Sequence, residues 1–381
     1  MTAFAIVADT IFDGAAVHRN AAVIVAGDTI REVTAAGSLP TEIPKVTLSP
    51  QAWLVPGFID LQVNGGGDVL FNEAPTPAGI AVIAAAHRRF GTTALLPTLI
   101  TDTRAKMRAA RNAVAAAMTT EPGVLGIHFE GPFLSPARAG VHDPGLMRIP
   151  EDGDLGFFTS PFGGVTLVTV APEILPDGWI AALVEAGVKV ALGHSAATYE
   201  QTRTAVSQGL TGFTHLFNAM PPLSAREPGP VAAALEAANA WYGLIVDGAH
   251  VAPAMIRLAL RGLGTPILVT DAMPPVGGKR DDFRLQQKPI EARDGRLTDG
   301  QGRLAGSLLD MASALRNCVR LIGTKLPEAL HMASTAPAEA IGLGGRLGRL
   351  RSGYRADMVA IDPAAVRVLG TWVAGSGGLH P

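Results

Sequence analysis

Four polar residues close short apolar runs and could together do hydrolytic chemistry. Glu130 ends VLGIHFE (124–130), His194 ends VKVALGH (188–194), His215 lies in TGFTHLF (211–217), and Asp271 lies in PILVTDA (266–272). A carboxylate with two imidazoles is a usual catalytic zinc set that leaves a fourth position for water. A metal held by Glu130, His194 and His215 would lower the pKa of water from about 15.7 towards 7 and polarise a carbonyl. Asp271 would take the proton and return it to the leaving group. Such a set hydrolyses an amide or an ester. One histidine at a strand end is more often a hydrogen-bonded loop residue than a ligand, so the inference rests on the four together.

Other residues fall near the same place. His128 precedes Glu130 by two, so both point to one face of a strand, and His128 is read as a buried support. His142 lies in GVHDP after the third run, and His250 follows the seventh. Arg226 sits in the proline-rich MPPLSAREPGP after the sixth. An arginine with two histidines suits an anionic substrate, a phosphate especially; the competing reading for Arg226 is a loop salt bridge. His18, His87, His331 and His380 lie in helical patterns or near the termini and are assigned no role.

These residues need a scaffold that gathers strand ends. Eight apolar runs alternate with helical patterns: residues 57–63, 92–98, 124–130, 165–171, 188–194, 211–217, 242–248 and 266–272. The helical patterns include AGIAVIAAAHRRFG and RAKMRAARNAVAAAM, and several end in glycine, the residue preferred just past a helix C-terminus. Repeated strand–helix alternation argues for a closed parallel barrel, whose active site lies at the C-terminal ends of its strands. The alternative is an open doubly wound sheet. Residues 1–53 read as short strands with Gly-Asp and Asp-Gly turns, and 353–375 share that character. The expectation is an α/β chain: a (β/α)8 TIM-like barrel over 54–345 with a small β-sandwich domain built from 1–53 plus 346–381. Residues 273–306, rich in glycine, proline and charge, are expected to form a β-excursion near the active face.

Composition narrows the function classes. The chain has 381 residues, 48% of them hydrophobic and only 17% charged, so a large core is available. A formal net charge of −2 gives no basic footprint for nucleic acid. No apolar stretch reaches the roughly 18 residues of a membrane helix, and MTAFAIVADTIFDG does not read as a signal peptide. Cys318 is the single cysteine, which excludes an internal disulfide and makes a reducing cytoplasm the default. Its Ala/Leu/Val surroundings make it a buried structural thiol.

The chain resembles the N-acetylglucosamine-6-phosphate deacetylase family of the amidohydrolase superfamily. The matching segments are PGFIDLQVNG (56–65), HFEGPFL (128–134), GHSAAT (193–198), THLFNAMPPL (214–223), VDGAHV (246–251), LVTDAM (268–273) and LAGSLLDM (304–311). The resemblance runs nearly end to end. It implies metal-dependent hydrolysis of an acetamide on a phosphorylated amino sugar, with ligands Glu130, His194 and His215 and with Asp271 as general base and acid. It implies that Val141, His142, Asn218 and Ala219 line the sugar site. It places Arg226 and Asp247, Gly248, Ala249 and His250 on the substrate and its phosphate, and Leu304, Ala305 and Gly306 on a loop closing over the sugar. A homodimer is implied as well, because part of the family's site comes from the neighbouring subunit.

One departure from the wider superfamily matters. Many relatives carry His-x-His at the end of the first strand, for a second metal, where this chain has Gln62-Val63-Asn64. An amide oxygen is a poor zinc ligand beside an imidazole. One divalent metal per subunit is expected, zinc favoured, with Fe2+, Co2+ or Mn2+ able to take the same ligands. Gln62 is expected to hydrogen-bond to a ligand or to the reacting water. Two other readings stay open: an amidohydrolase acting on a different N-acylated sugar or a cyclic amide, and a non-catalytic binding protein on the same fold.

Overall fold

The computed structural model describes residues 3–380. Its barrel strands are β1 (Phe58–Val63), β2 (Thr92–Ile100), β3 (Gly126–Glu130), β4 (Val165–Val170), β5 (Lys189–Leu192), β6 (Gly212–Phe213), β7 (Trp241–Leu244) and β8 (Thr265–Leu268). Each pairs with its sequence neighbour, so spatial order follows chain order. The pairing is parallel throughout. The first and last strands meet through a parallel bridge between Val63 and Ala272, with Asp271 N–H donating to Gln62 O at 3.0 Å. This is the expected barrel.

Parallel strands covered by helices are buried on both faces and read as continuous apolar runs. All nine residues of β2 are buried, as are all six of β1. Helices Pro77–Arg88 and Arg104–Ala117 follow β1 and β2. Each starts on a threonine, Thr76 or Thr103, whose hydroxyl accepts a first-turn N–H, which is the usual N-cap arrangement. The sixth strand is far shorter than its apolar run. The regular ladder ends at Phe213, and single hydrogen bonds from Thr214 N–H to Leu192 O at 2.9 Å and from Leu216 N–H to Gly243 O at 2.8 Å flank His215, whose backbone is left-handed with φ 33°.

The two ends of the chain share one eight-stranded sheet. Strand Met358–Asp362 lies antiparallel to Trp53–Pro56, which itself runs parallel to Phe4–Phe12. Ile6, Val23, Leu54, Met358 and Trp372 fill a core on one face, separate from that of the barrel. Beyond β8 the excursion forms three antiparallel strands, Asp282–Leu285, Lys288–Arg293 and Arg296–Asp299. Leu285, Ile290, Leu297 and Ala305 pack on Ile100, Val141 and Met273, which seats the excursion over the open end of the barrel. Among the described residues no helix is long and apolar enough to cross a membrane. Cys318 is buried, and burial pushes its thiol up to about 12.

Candidate active site and metal centre

Glu130 is the last residue of β3, while His194, His215 and Asp271 lie two or three residues past β5, β6 and β8. The latter three have left-handed backbones, with φ of 48°, 33° and 51°. Such a conformation costs a non-glycine residue of order 1–3 kcal/mol and tends to occur at functional sites. Here the strain turns each side chain from the sheet into the barrel mouth.

The side chains converge closely. His215 Nε2 lies 2.9 Å and His194 Nε2 3.2 Å from the same Glu130 oxygen, and the two imidazole nitrogens are 3.1 Å apart. All three residues are buried. His194 Nδ1 donates to Arg138 O at 2.8 Å, so its Nε2 carries the lone pair when the ring is neutral. Two ring nitrogens and a carboxylate oxygen pointed at one another make a poor protein-only arrangement and a good cation cradle. Burial would raise Glu130, but hydrogen bonds from His194 and His215 outweigh it and hold the carboxyl well below the usual range. Burial would likewise depress His215, yet the Glu130 carboxylate pushes it above the ordinary imidazole value.

Asp271 stands beside this cluster. Burial, then the Glu130 charge, push it up to about 6. Gln62 Nε2 donates to both Glu130 oxygens at 3.3 Å and to Asp271 Oδ1 at 3.0 Å. Gln62 therefore ties the two carboxylates together, as a hydrogen-bonding partner of a ligand would. Beneath them Asp60 accepts the Thr270 hydroxyl at 2.5 Å and braces the end of β8, where Asp271 begins.

His128 lies one layer deeper. Its Nδ1 donates to Leu61 O at 3.0 Å and its Nε2 faces the Thr169 hydroxyl at 2.7 Å. Burial lowers it to about 4, so it is a neutral spacer and not a member of the cluster. His142 rests its ring on His194, centroids 4.3 Å apart, with Nδ1 against the Thr101 hydroxyl at 2.9 Å. Burial, then His194, hold His142 down at about 3, so it too is neutral. Gly140 permits this approach: a Cβ there would sit 3.2 Å from the His194 ring on a φ of +58°.

A cavity of about 160 Å3 opens on the cluster, lined by Val141, His142, Asn218, Ala219, His250, Leu304 and Gly306 besides the four central residues. Ligand pockets usually run to roughly 300–1,000 Å3, so this volume takes the reacting end of a substrate and leaves the rest at the mouth. A larger cleft of about 630 Å3, lined by Asp28, Lys189 and Arg346, contains none of these residues.

Several expected contacts are placed differently. Asp247 faces inward on its own loop. It accepts the Ala249 and His250 N–H groups at 2.8 and 2.9 Å and pairs with His250 Nδ1 at 2.6 Å, so it orients His250 and does not itself line the cavity. Gly248 supplies the positive φ of that loop, and neither it nor Ala249 reaches the cavity. Ala305 is packed into the core of the excursion. Arg226 is exposed on its loop and outside the cavity of its own chain.

Sequence reasoning missed five lining residues: Asn64, Ile100, Gly140, Ile245 and Met273. Asn64 carried a usable signal, being two residues past Gln62 and so on the same side of an extended chain. Its Nδ2 lies 2.6 Å from Asp271 Oδ1.

Comparison with known proteins places this arrangement in context. Residues 53–376 match the amidohydrolase family. A protein of Shewanella sp. (strain ANA-3) named N-acetylgalactosamine-6-phosphate deacetylase is 44% identical over 84% of this chain and 82% of its own length. One of Haemophilus influenzae named N-acetylglucosamine-6-phosphate deacetylase is 34% identical over 94% of this chain and 95% of its own. The crystal structure of N-acetylglucosamine-6-phosphate deacetylase from Pasteurella multocida superposes with a TM-score of 0.96 at 35% identity, covering 99% of this chain and 100% of that one.

Proposed function

The chain belongs to the amidohydrolase family, and we propose that it hydrolyses the acetamide of N-acetyl-D-glucosamine 6-phosphate to D-glucosamine 6-phosphate and acetate. The observation that carries this reading is the buried meeting of Glu130, His194 and His215 beside Asp271 in one cavity. The donor set fits a divalent cation, zinc favoured, with Fe2+, Co2+ or Mn2+ as alternatives. When bound, that cation would acidify water and polarise the acetamide carbonyl.

The chain's own groups divide the remaining work. The Asp271 carboxylate accepts a proton from the attacking water as oxygen bonds to the acyl carbon. It then delivers that proton to the sugar nitrogen as the C–N bond breaks, leaving amine and acetate. Gln62 holds Asp271 Oδ1 and Glu130 in fixed relation. His142, neutral and braced by Thr101, packs on His194 and presents its ring to the cavity. His250, oriented by Asp247, presents its ring to the cavity. Leu304 and Gly306 close one wall.

We further propose a homodimer, in which the exposed Arg226 reaches the mouth of the neighbouring subunit and meets the phosphate. A sugar phosphate as substrate, with a lone buried cysteine, supports a cytoplasmic location for the enzyme.

The galacto epimer is a second reading, favoured by the 44% identity to the Shewanella protein. Acetate release from the two N-acetylhexosamine 6-phosphates and from unphosphorylated N-acetylglucosamine tests both. Turnover of the phosphorylated gluco sugar far above the other two supports the first reading. Preference for the galacto sugar moves the assignment to the second, and turnover of none removes both.

A further inference from the structure

Asn64 is buried at the end of β1, lines the cavity, and is used on one side only. Its Nδ2 donates to Asp271 Oδ1 at 2.6 Å. Its Oδ1 is buried and, among the described residues, has no hydrogen-bond partner. The amide orientation follows from its neighbour: turning it over would set an amide oxygen 2.6 Å from a carboxylate oxygen, so the nitrogen faces Asp271. A buried acceptor without a partner costs about 1–3 kcal/mol, and such a group in a native cavity calls for an explanation.

We propose that Asn64 recognises the scissile amide. Its Oδ1 accepts the substrate N–H while its Nδ2 holds Asp271. This rests on the amide-hydrolase reading above. Asp271 Oδ1 already receives both Asn64 Nδ2 and Gln62 Nε2, at 2.6 and 3.0 Å. Both donors therefore occupy one oxygen and leave Oδ2 as the oxygen that carries the proton. A single side chain thus sets the nitrogen that departs against the carboxylate that must protonate it. When the carbonyl is attacked, that nitrogen becomes basic and gains a proton from Asp271 Oδ2, and the Asn64 contact keeps its existing N–H turned away from the incoming proton.

The test compares each substrate amide with the corresponding 2-O-acetyl ester of the hexose 6-phosphate, which has no N–H to offer. In the wild type both release acetate. In Asn64→Ala, amide kcat/KM falls about tenfold to a hundredfold more than ester kcat/KM. Loss of the donor to Asp271 also moves the acid limb of kcat/KM to higher pH for both compounds. Asn64→Leu fills the same space without donor or acceptor and gives the same split, while melting temperature and bound metal report folding. Equal losses on amide and ester in an active, folded variant overturn the inference and leave the function standing. A wild type that releases acetate from neither compound overturns the function and the inference with it.

Discussion

His194 Nε2 and His215 Nε2 stand 3.1 Å apart in a buried pocket, both within 3.2 Å of one Glu130 oxygen. The carbonyl of Arg138 accepts from His194 Nδ1, which turns the opposite nitrogen towards this point as the ligand atom of the neutral ring. If these atoms hold the metal, His194→Ala removes a ligand and Glu130→Gln removes the charge. Each should cut metal content after dialysis to a small fraction of the wild-type value, measured by elemental analysis. Full retention in both variants would place the metal elsewhere.

Asp271→Asn keeps the shape of the base and removes its proton affinity. General acid–base catalysis contributes about 10²- to 10⁴-fold, so kcat should fall in that range. Metal content should stay at the wild-type level, and substrate should still bind by calorimetry. A variant with near-normal kcat would reassign the base.

Burial and the Glu130 charge hold Asp271 at about 6, above the ordinary carboxyl value. The base form is the carboxylate, which is populated above that pKa and lost below it. A bound cation beside Asp271 would lower the value. The pH profile of kcat/KM should therefore be level above about 6 and fall tenfold per unit on an acid limb at or below 6. An acid limb near 8 would contradict Asp271 as the base.

Arg226 tests the assembly and the phosphate contact together. Loss of a charge-assisted hydrogen bond costs about 1.5–3 kcal/mol, so Arg226→Ala should raise KM for the phosphorylated sugar by tenfold or more while hardly changing the unphosphorylated one. If Arg226 serves the neighbouring subunit, co-refolding Arg226→Ala with Asp271→Asn restores activity. The mixed dimer then holds one site with an intact Asp271 and an Arg226 supplied by its partner. No recovery in a verified mixed dimer would confine Arg226 to its own chain.

Cys318 is buried with its thiol at about 12. Thiolate is the reactive form, so iodoacetamide should leave both activity and the intact mass of the folded enzyme unchanged. Labelling without unfolding would contradict this.

Much of the architecture was legible because barrel physics leaves a period in the sequence. Eight apolar runs alternate with helical patterns, and polar residues lie at or near the ends of six of them on one face, which groups Glu130, His194, His215 and Asp271. The shortness of β6 was not legible, since nothing in TGFTHLF signals that His215 turns left-handed after Phe213. The inward role of Asp247 was also hidden, because a carboxylate in VDGAHV can serve a ligand or its own loop equally well. Asn64 was legible as a polar residue at the end of the first strand, where many relatives carry a histidine, but its partner was not. Its pairing with Asp271 arises from the seam between β1 and β8, residues 207 apart in sequence.

If one cation held by Glu130, His194 and His215 carries the activity, chelator-stripped protein should show no release of acetate from N-acetylglucosamine 6-phosphate. Titration with zinc should then give a linear rise in turnover that breaks at one ion per chain. Turnover in the stripped protein, or a break at two ions, would contradict it.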